Sequence, residues 1–91
     1  MGSESRHARE YKREVMKERE AKVASLTPRE KDVFNELMKG YSMREVAEIL
    51  EISYPTVNSH ITHLYKKLGV KSRPNLMVKY GEVWRKTNQG V

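Results

Sequence analysis

Asn58, Ser59 and Thr62 carry short side chains that donate and accept hydrogen bonds, and their spacing places them on one strip of a single helix. Side chains of this size let a helix sink into the major groove of a duplex. There an Asn amide pairs bidentately with adenine, and Ser or Thr hydroxyls serve several bases. Thr56 stands at the start of the same helix, where free N–H groups and the helix dipole favour a phosphate. His63 flanks the strip, and with His60 and the later Lys66, Lys67, Lys71 and Arg73 it is a candidate for contact with a phosphate backbone. An ordinary solvent-facing surface would mix Glu with Lys for solubility and intrahelical pairing. No Asp or Glu occurs between Ile52 and Gly81. The chemistry these residues fit is non-covalent recognition of a polyanion, with base contacts along the strip and phosphate contacts around it.

Other chemistries find little support. The three histidines, His7, His60 and His63, are too few and too scattered for a metal site, and there is no cysteine for a zinc site or a disulfide. No nucleophile elbow, phosphate loop or zinc-protease motif is present, so neither enzymatic activity nor a cofactor is expected.

The elements that must position these residues can be read from their ends. Ser53 is a good N-cap, Pro55 is tolerated in a first turn, and Val57, Ile61, Leu64 and Leu68 keep a 4-3-4 apolar spacing before Gly69. A helix is therefore expected over 54–68, with Ser59, Thr62 and Lys66 opposite its apolar side. Ser42 and Glu45 form a capping box ahead of a short helix carrying Val46, Ala47, Ile49 and Leu50. Thr27, Pro28 and Glu30 begin a helix over 28–39, with Val33, Phe34, Leu37 and Met38 on its inner face and Gly40 beyond its end. Two short helices joined by a few residues, the second longer and followed by basic residues, describe a helix-turn-helix. Ser72 caps a last helix to about Lys86, with Leu76, Tyr80 and Val83 facing inward. Residues 4–22 lack Gly and Pro and are rich in Arg, Lys, Glu and Ala, so they favour helix. Their apolar stripe of Ala8, Tyr11, Val15 and Met16 is thin, with Glu14 to Lys17 and Glu18 to Lys22 as supporting pairs.

Charge is distributed unevenly. The chain of 91 residues carries a net charge of +6, but residues 54–91 hold seven basic side chains against one acidic, whereas residues 26–53 are net acidic. A one-sided excess suits a surface that displaces counterions from phosphates. The length allows one domain. The expected organisation is a charged N-terminal helix or linker over 1–25, a DNA-binding domain over 26–86 and a C-terminal tail over 87–91. No apolar run approaches a membrane span or a secretory signal, so a cytoplasmic protein with no membrane partner is expected.

The segments LTPRE, G-x-S-x-x-E-V-A, I-S-x-x-T-V-x-x-H and K-L-G-V-x-S-R occur here in order over about residues 26–84. This resembles the C-terminal DNA-binding domain of the LuxR/FixJ family, also called GerE-like. The resemblance implies an all-α, four-helix domain with the additional N-terminal charged helix set before it. Its third helix would read the major groove and its fourth would mediate dimerisation. It puts base reading on Asn58, Ser59 and Thr62, and backbone contact on Thr56, His60, Lys66 and Lys71. Asn58 stands where many members carry Lys, which shifts the expected preference from guanine toward adenine. Tyr54 and Pro55 replace the more usual polar residues at the helix start.

On the last helix, Pro74, Val78, Gly81 and Arg85 lie away from the core, with Met77 and Trp84 at the boundary. An exposed Val and a mid-helix Gly, which costs about 1 kcal/mol, are explained by close approach of a second helix. The expected function is sequence-specific transcriptional regulation by a homodimer on a pseudo-palindromic site, its half-sites on the order of 34–36 Å apart. The partners are double-stranded DNA, a second copy and, at a promoter, RNA polymerase. Two other readings are open. One is an interaction module that heterodimerises with full-length LuxR-type regulators and inhibits them; the other is a sigma-factor region-four-like module. About 25 residues precede LTPRE, too few for a receiver or autoinducer-binding domain, so the chain reads either as naturally short or as an excised output domain.

Overall fold

A computed structural model describes residues 6–88; Glu4 and Ser5 of the expected first helix, and residues 89–91 of the expected tail, lie outside them. Five helices follow in order: α1 (Arg6–Ala24), α2 (Pro28–Met38), α3 (Met43–Leu50), α4 (Tyr54–Leu68) and α5 (Arg73–Asn88). Among the described residues there is no strand, as expected of an all-α domain.

The helix starts sit where local chemistry puts them. Thr27 and Ser42 each accept from the backbone N–H three residues on, at 3.1 Å, and the glutamates at those positions, Glu30 and Glu45, reach back to close capping boxes. Ser53 caps α4 by accepting from the N–H of Thr56. Gly40 and Gly69 take the positive φ that closes α2 and α4, at 101° and 69°. The turn between α3 and α4 holds a conformation that no glycine announced: Glu51 is left-handed, at φ 57° and ψ 45°.

α2, α3 and α4 pack on one another around Val33, Phe34, Leu37, Val46, Val57, Leu64 and Leu68, and α5 closes the core with Leu76, Tyr80 and Val83. Tyr80 is fully buried. Its ring stands edge-on to Phe34, with centroids 6.4 Å apart, and its hydroxyl donates to the Leu68 carbonyl at 2.7 Å. The end of α4 is thereby tied to the middle of α5. Trp84 is half-buried, and its indole N–H donates to Asn35 of α2 at 3.1 Å.

α1 is held by its second half. Val23 packs on the core, Arg19 donates to the Lys79 carbonyl at 3.1 Å, and Lys86 meets Glu20 at 3.3 Å. Farther out, Lys12 comes within 3.9 Å of Glu82. The expected pairs Glu14 to Lys17 and Glu18 to Lys22 do not close; the ion pairs of α1 run across to α5 instead.

Among the described residues Glu30 is the one buried charged residue, 5% exposed. Its Oε1 accepts from the Lys67 ammonium at 2.8 Å and from the Thr27 N–H at 2.9 Å. The Lys67 hydrogen bond, then the Thr27 backbone, hold its carboxyl below the ordinary carboxylate range against the opposing effect of burial. A depressed folded-state pKa makes this stabilisation fully present above the unfolded value near 4.5, and it is lost as pH falls through the folded one. Glu30→Gln is accordingly expected to lower stability at neutral pH by about 1–2 kcal/mol. It should also flatten the decline in acid, read as urea midpoints from pH 7 down to 3. Parallel curves for both proteins would show that Glu30 does not carry this dependence.

Candidate nucleic-acid interface

α4 presents two sides. Val57, Ile61, Leu64 and Leu68 are buried, whereas Asn58, Ser59, Thr62, His63 and Lys66 are exposed and His60 is half-buried on the flank. The inner positions keep helical spacing and fix the rotation of α4, which leaves the polar strip outward as one face. α3 lies across the start of α4, and Tyr54, 48% exposed, donates its hydroxyl to the Met43 sulfur at 3.8 Å. This contact sets the first turn of α3 beside the first turn of α4.

Within the strip the hydrogen-bonding groups are not equally available. Thr62 donates its hydroxyl to the Asn58 carbonyl one turn earlier, at 3.0 Å, so toward a ligand its oxygen acts as an acceptor. The hydroxyls of Thr56 and Ser53 share a hydrogen bond at 2.8 Å, which orders the start of α4 while Thr56 stays exposed. No hydrogen bond of the described residues involves the Asn58 amide or the Ser59 hydroxyl. These two groups retain their full capacity for a base edge.

The basic residues divide into two sets. Lys66 and Lys71 are exposed, and their ammonium groups make no ion pair within the described chain. Lys67 and Arg73 were expected in the same role, but they are engaged internally. Lys67 pairs with Glu30, and the Arg73 guanidinium donates to the carbonyls of Leu37, at 2.9 Å, and Tyr41. Arg73 thus adds a donor to the Leu37 carbonyl, which already accepts from the Gly40 N–H at 3.0 Å, and pins the start of α5 where α2 ends. Sequence reasoning also passed over Arg44, exposed in the first turn of α3, beside the start of α4. The signal was its placement: a cation at a helix N-terminus opposes the dipole and needs another reason.

A cavity of about 390 Å³ lies between α1, α2 and α5, and an open groove of about 630 Å³ runs between α1 and α5, both away from the exposed side of α4. Among the described residues, no three of His, Cys, Asp and Glu come together as a metal site. None of the helices is long and apolar enough to cross a membrane.

On α5, Pro74, Val78 and Arg85 are exposed, Val78 by 84%, and Met77 is half-buried against the core. Gly81 departs from expectation. It is buried, and a Cβ built there would lie 3.3 Å from an Arg85 guanidinium nitrogen, so the space a side chain would need holds the chain's own Arg85.

Residues 24–80 match the family described as bacterial regulatory proteins, luxR family. The match runs through α2, α3 and α4 into the middle of α5. Among curated proteins, the chain is 45% identical over 53 residues to a Mycobacterium tuberculosis protein named as an HTH-type transcriptional regulator. It is 44% identical over 52 residues to the oxygen regulatory protein NreC of Staphylococcus aureus. These stretches cover 58% and 57% of the chain but 6% and 24% of the two relatives, so the chain spans a small part of their length. No solved structure matches it significantly.

Proposed function

Since the chain belongs to the luxR family of bacterial regulatory proteins, and so is a DNA-binding regulator rather than an enzyme, we propose that it reads a specific promoter sequence as a homodimer through α4. The observation that carries this reading is the outer side of α4. It is a strip of short polar side chains whose Asn58 and Ser59 groups are uncommitted, with no carboxylate near it in sequence. In this reading Asn58, Ser59 and Thr62 contact base edges, Asn58 as a bidentate partner of adenine and Thr62 as an acceptor. Thr56, His60, His63, Lys66 and Lys71 contact phosphates, joined by Arg44 from α3, the helix that crosses the backbone in this motif. Lys67 and Arg73 serve instead to hold α4 and α5 on α2.

The dimer rests on Val78. An aliphatic side chain that is 84% exposed in the middle of a helix, flanked by Pro74 and Arg85, suits the self-complementary contact of a two-fold interface. Domain limits near 26 and 86 fit the same assignment, with α1 as an attached element.

Selection of bound sites from a random duplex pool tests the proposal, followed by affinity for the winner and a scrambled control at several salt concentrations. A pseudo-palindrome favoured well over tenfold, bound with a steep salt slope, is the expected result. Asn58→Ala is expected to relax preference at one base pair, at a cost of about 1–3 kcal/mol. Lys66→Ala should weaken every sequence alike and reduce the salt slope by about one. Equal losses on all sequences for both variants would sink the assignment of Asn58. No enriched sequence at all would shift the reading to the module that pairs with full-length relatives and inhibits them.

A further inference from the structure

Five positions on α5, Pro74, Met77, Val78, Gly81 and Arg85, with Gly81 buried and Met77 half-buried, are far fewer than the roughly 20–30 residues a side that a stable interface uses. The rest of the contact has to come from elsewhere on the chain. The inner side of α1 is accounted for by Arg19, Glu20 and Val23, but its first turns reach past them. The Lys12–Glu82 pair shows where they go. Glu82 lies one helical turn beyond Val78 on α5, so this half of α1 stands at the rim of the exposed α5 strip. Tyr11, the residue before Lys12, points about 100° away from that seam. At 73% and 84% exposed, Tyr11 and Val78 are the most exposed large apolar side chains among the described residues, the first next to Lys12 and the second one turn before Glu82.

The charges beside them are opposite in sign. Glu18 follows Tyr11 by seven residues on the same side of α1, with Glu14 between them, and Arg85 follows Val78 by seven on α5. Both spacings are about 10.5 Å along a helix. Glu14, Glu18 and Arg85 are exposed, and none has an ion-pair partner among the described residues. Each face is an apolar residue with a charge two turns on, and each complements the other.

Resting on the dimer reading above, we propose that the second copy of this chain covers the outer face of α1. Tyr11 of one copy packs on Val78 of the other, and Glu18 of one pairs with Arg85 of the other. By two-fold symmetry each contact is made twice.

Sedimentation equilibrium of the full chain tests this, with circular dichroism confirming that the exposed-site variants keep their helices. Tyr11→Ala, Glu18→Arg and Arg85→Glu are each expected to raise the dimer dissociation constant about tenfold or more, and the Glu18→Arg/Arg85→Glu double variant to recover most of that loss. Val78→Asp is the reference for the dimer itself. If it is monomeric while Tyr11→Ala and Glu18→Arg associate as the unmodified chain does, the α1 contact is wrong and the α5 dimer stands. If Val78→Asp also associates normally, the α5 dimer falls with it. A double variant no better than the worse single one overturns the Glu18–Arg85 pairing.

Discussion

Tyr80→Ala is expected to cost about 3–5 kcal/mol of folding free energy, the range for removing a large buried side chain from a packed core. A domain of this length has roughly 4–12 kcal/mol in total, so the loss is a large share of what keeps it folded. Three interactions go at once: the edge-on contact with Phe34, the apolar packing of α5 on the core, and the hydrogen bond to the Leu68 carbonyl. Tyr80→Phe separates them. It keeps the ring and leaves the Leu68 carbonyl without its partner, at an expected cost of about 1–3 kcal/mol. Urea unfolding followed by circular dichroism measures both, as midpoint shifts at unchanged slope. Burial raises the Tyr80 hydroxyl pKa above its ordinary value of 10.0, with the nearby Arg19 charge partly opposing. A raised folded-state value means that this stabilisation is present below pH 10 and lost as pH rises through the folded pKa. Tyr80→Phe should therefore decline less steeply in alkali. A loss under 1 kcal/mol for Tyr80→Ala would mean that the core closes over the gap, and that the joint between α4 and α5 is held elsewhere.

The second large effect concerns binding. Val78→Asp is expected to lower affinity for a two-half-site duplex by about 10²–10⁴-fold while changing affinity for a single half-site little. The physical basis is effective concentration: once one copy is bound, the dimer contact holds the other over its half-site. An aspartate at the centre of an apolar contact places an unpaired charge there and removes that coupling. Val78 is 84% exposed, so the change leaves the core of the domain untouched. Fluorescence anisotropy with labelled full-site and half-site duplexes at fixed salt gives both numbers. An equal loss on the two duplexes would place the effect in DNA contact rather than association. An unchanged full-site affinity would remove Val78 from the dimer.

What the sequence disclosed was the part governed by neighbours along the chain. The caps at Thr27, Ser42 and Ser53 are three-residue signals, and the burial of Val57, Ile61, Leu64 and Leu68 follows from a period of 3.6, so the rotation of α4 and its outer strip could be read directly. The assignments that shifted depend on partners distant in sequence. Lys67 finds Glu30 across 37 residues, and Arg73 finds Leu37 and Tyr41 across 36 and 32. A basic residue after a polar helix looks the same whether it faces a phosphate or a buried carboxylate. α1 was underestimated for a related reason. Its apolar stripe is thin because ion pairs and one hydrogen bond to a carbonyl do much of the seating, and such contacts leave no hydrophobic period. Glu51 escaped notice because it adopts a left-handed conformation in which glycine is the usual clue.

Trp84 is the chain's single tryptophan, and it is anchored to Asn35 where α5 lies on α2. The exposed strip of Asn58, Ser59 and Thr62 on α4 carries no tryptophan. The molecule therefore contains its own optical label for the seating of its last helix. Emission excited at the red edge reports whether α5 is docked, and it does so from a site remote from the residues assigned to base pairs. Unfolding, assembly and DNA capture can thus be timed in one stopped-flow cuvette, the first two from the indole and the third from a dye on the duplex, with no extrinsic probe on the protein.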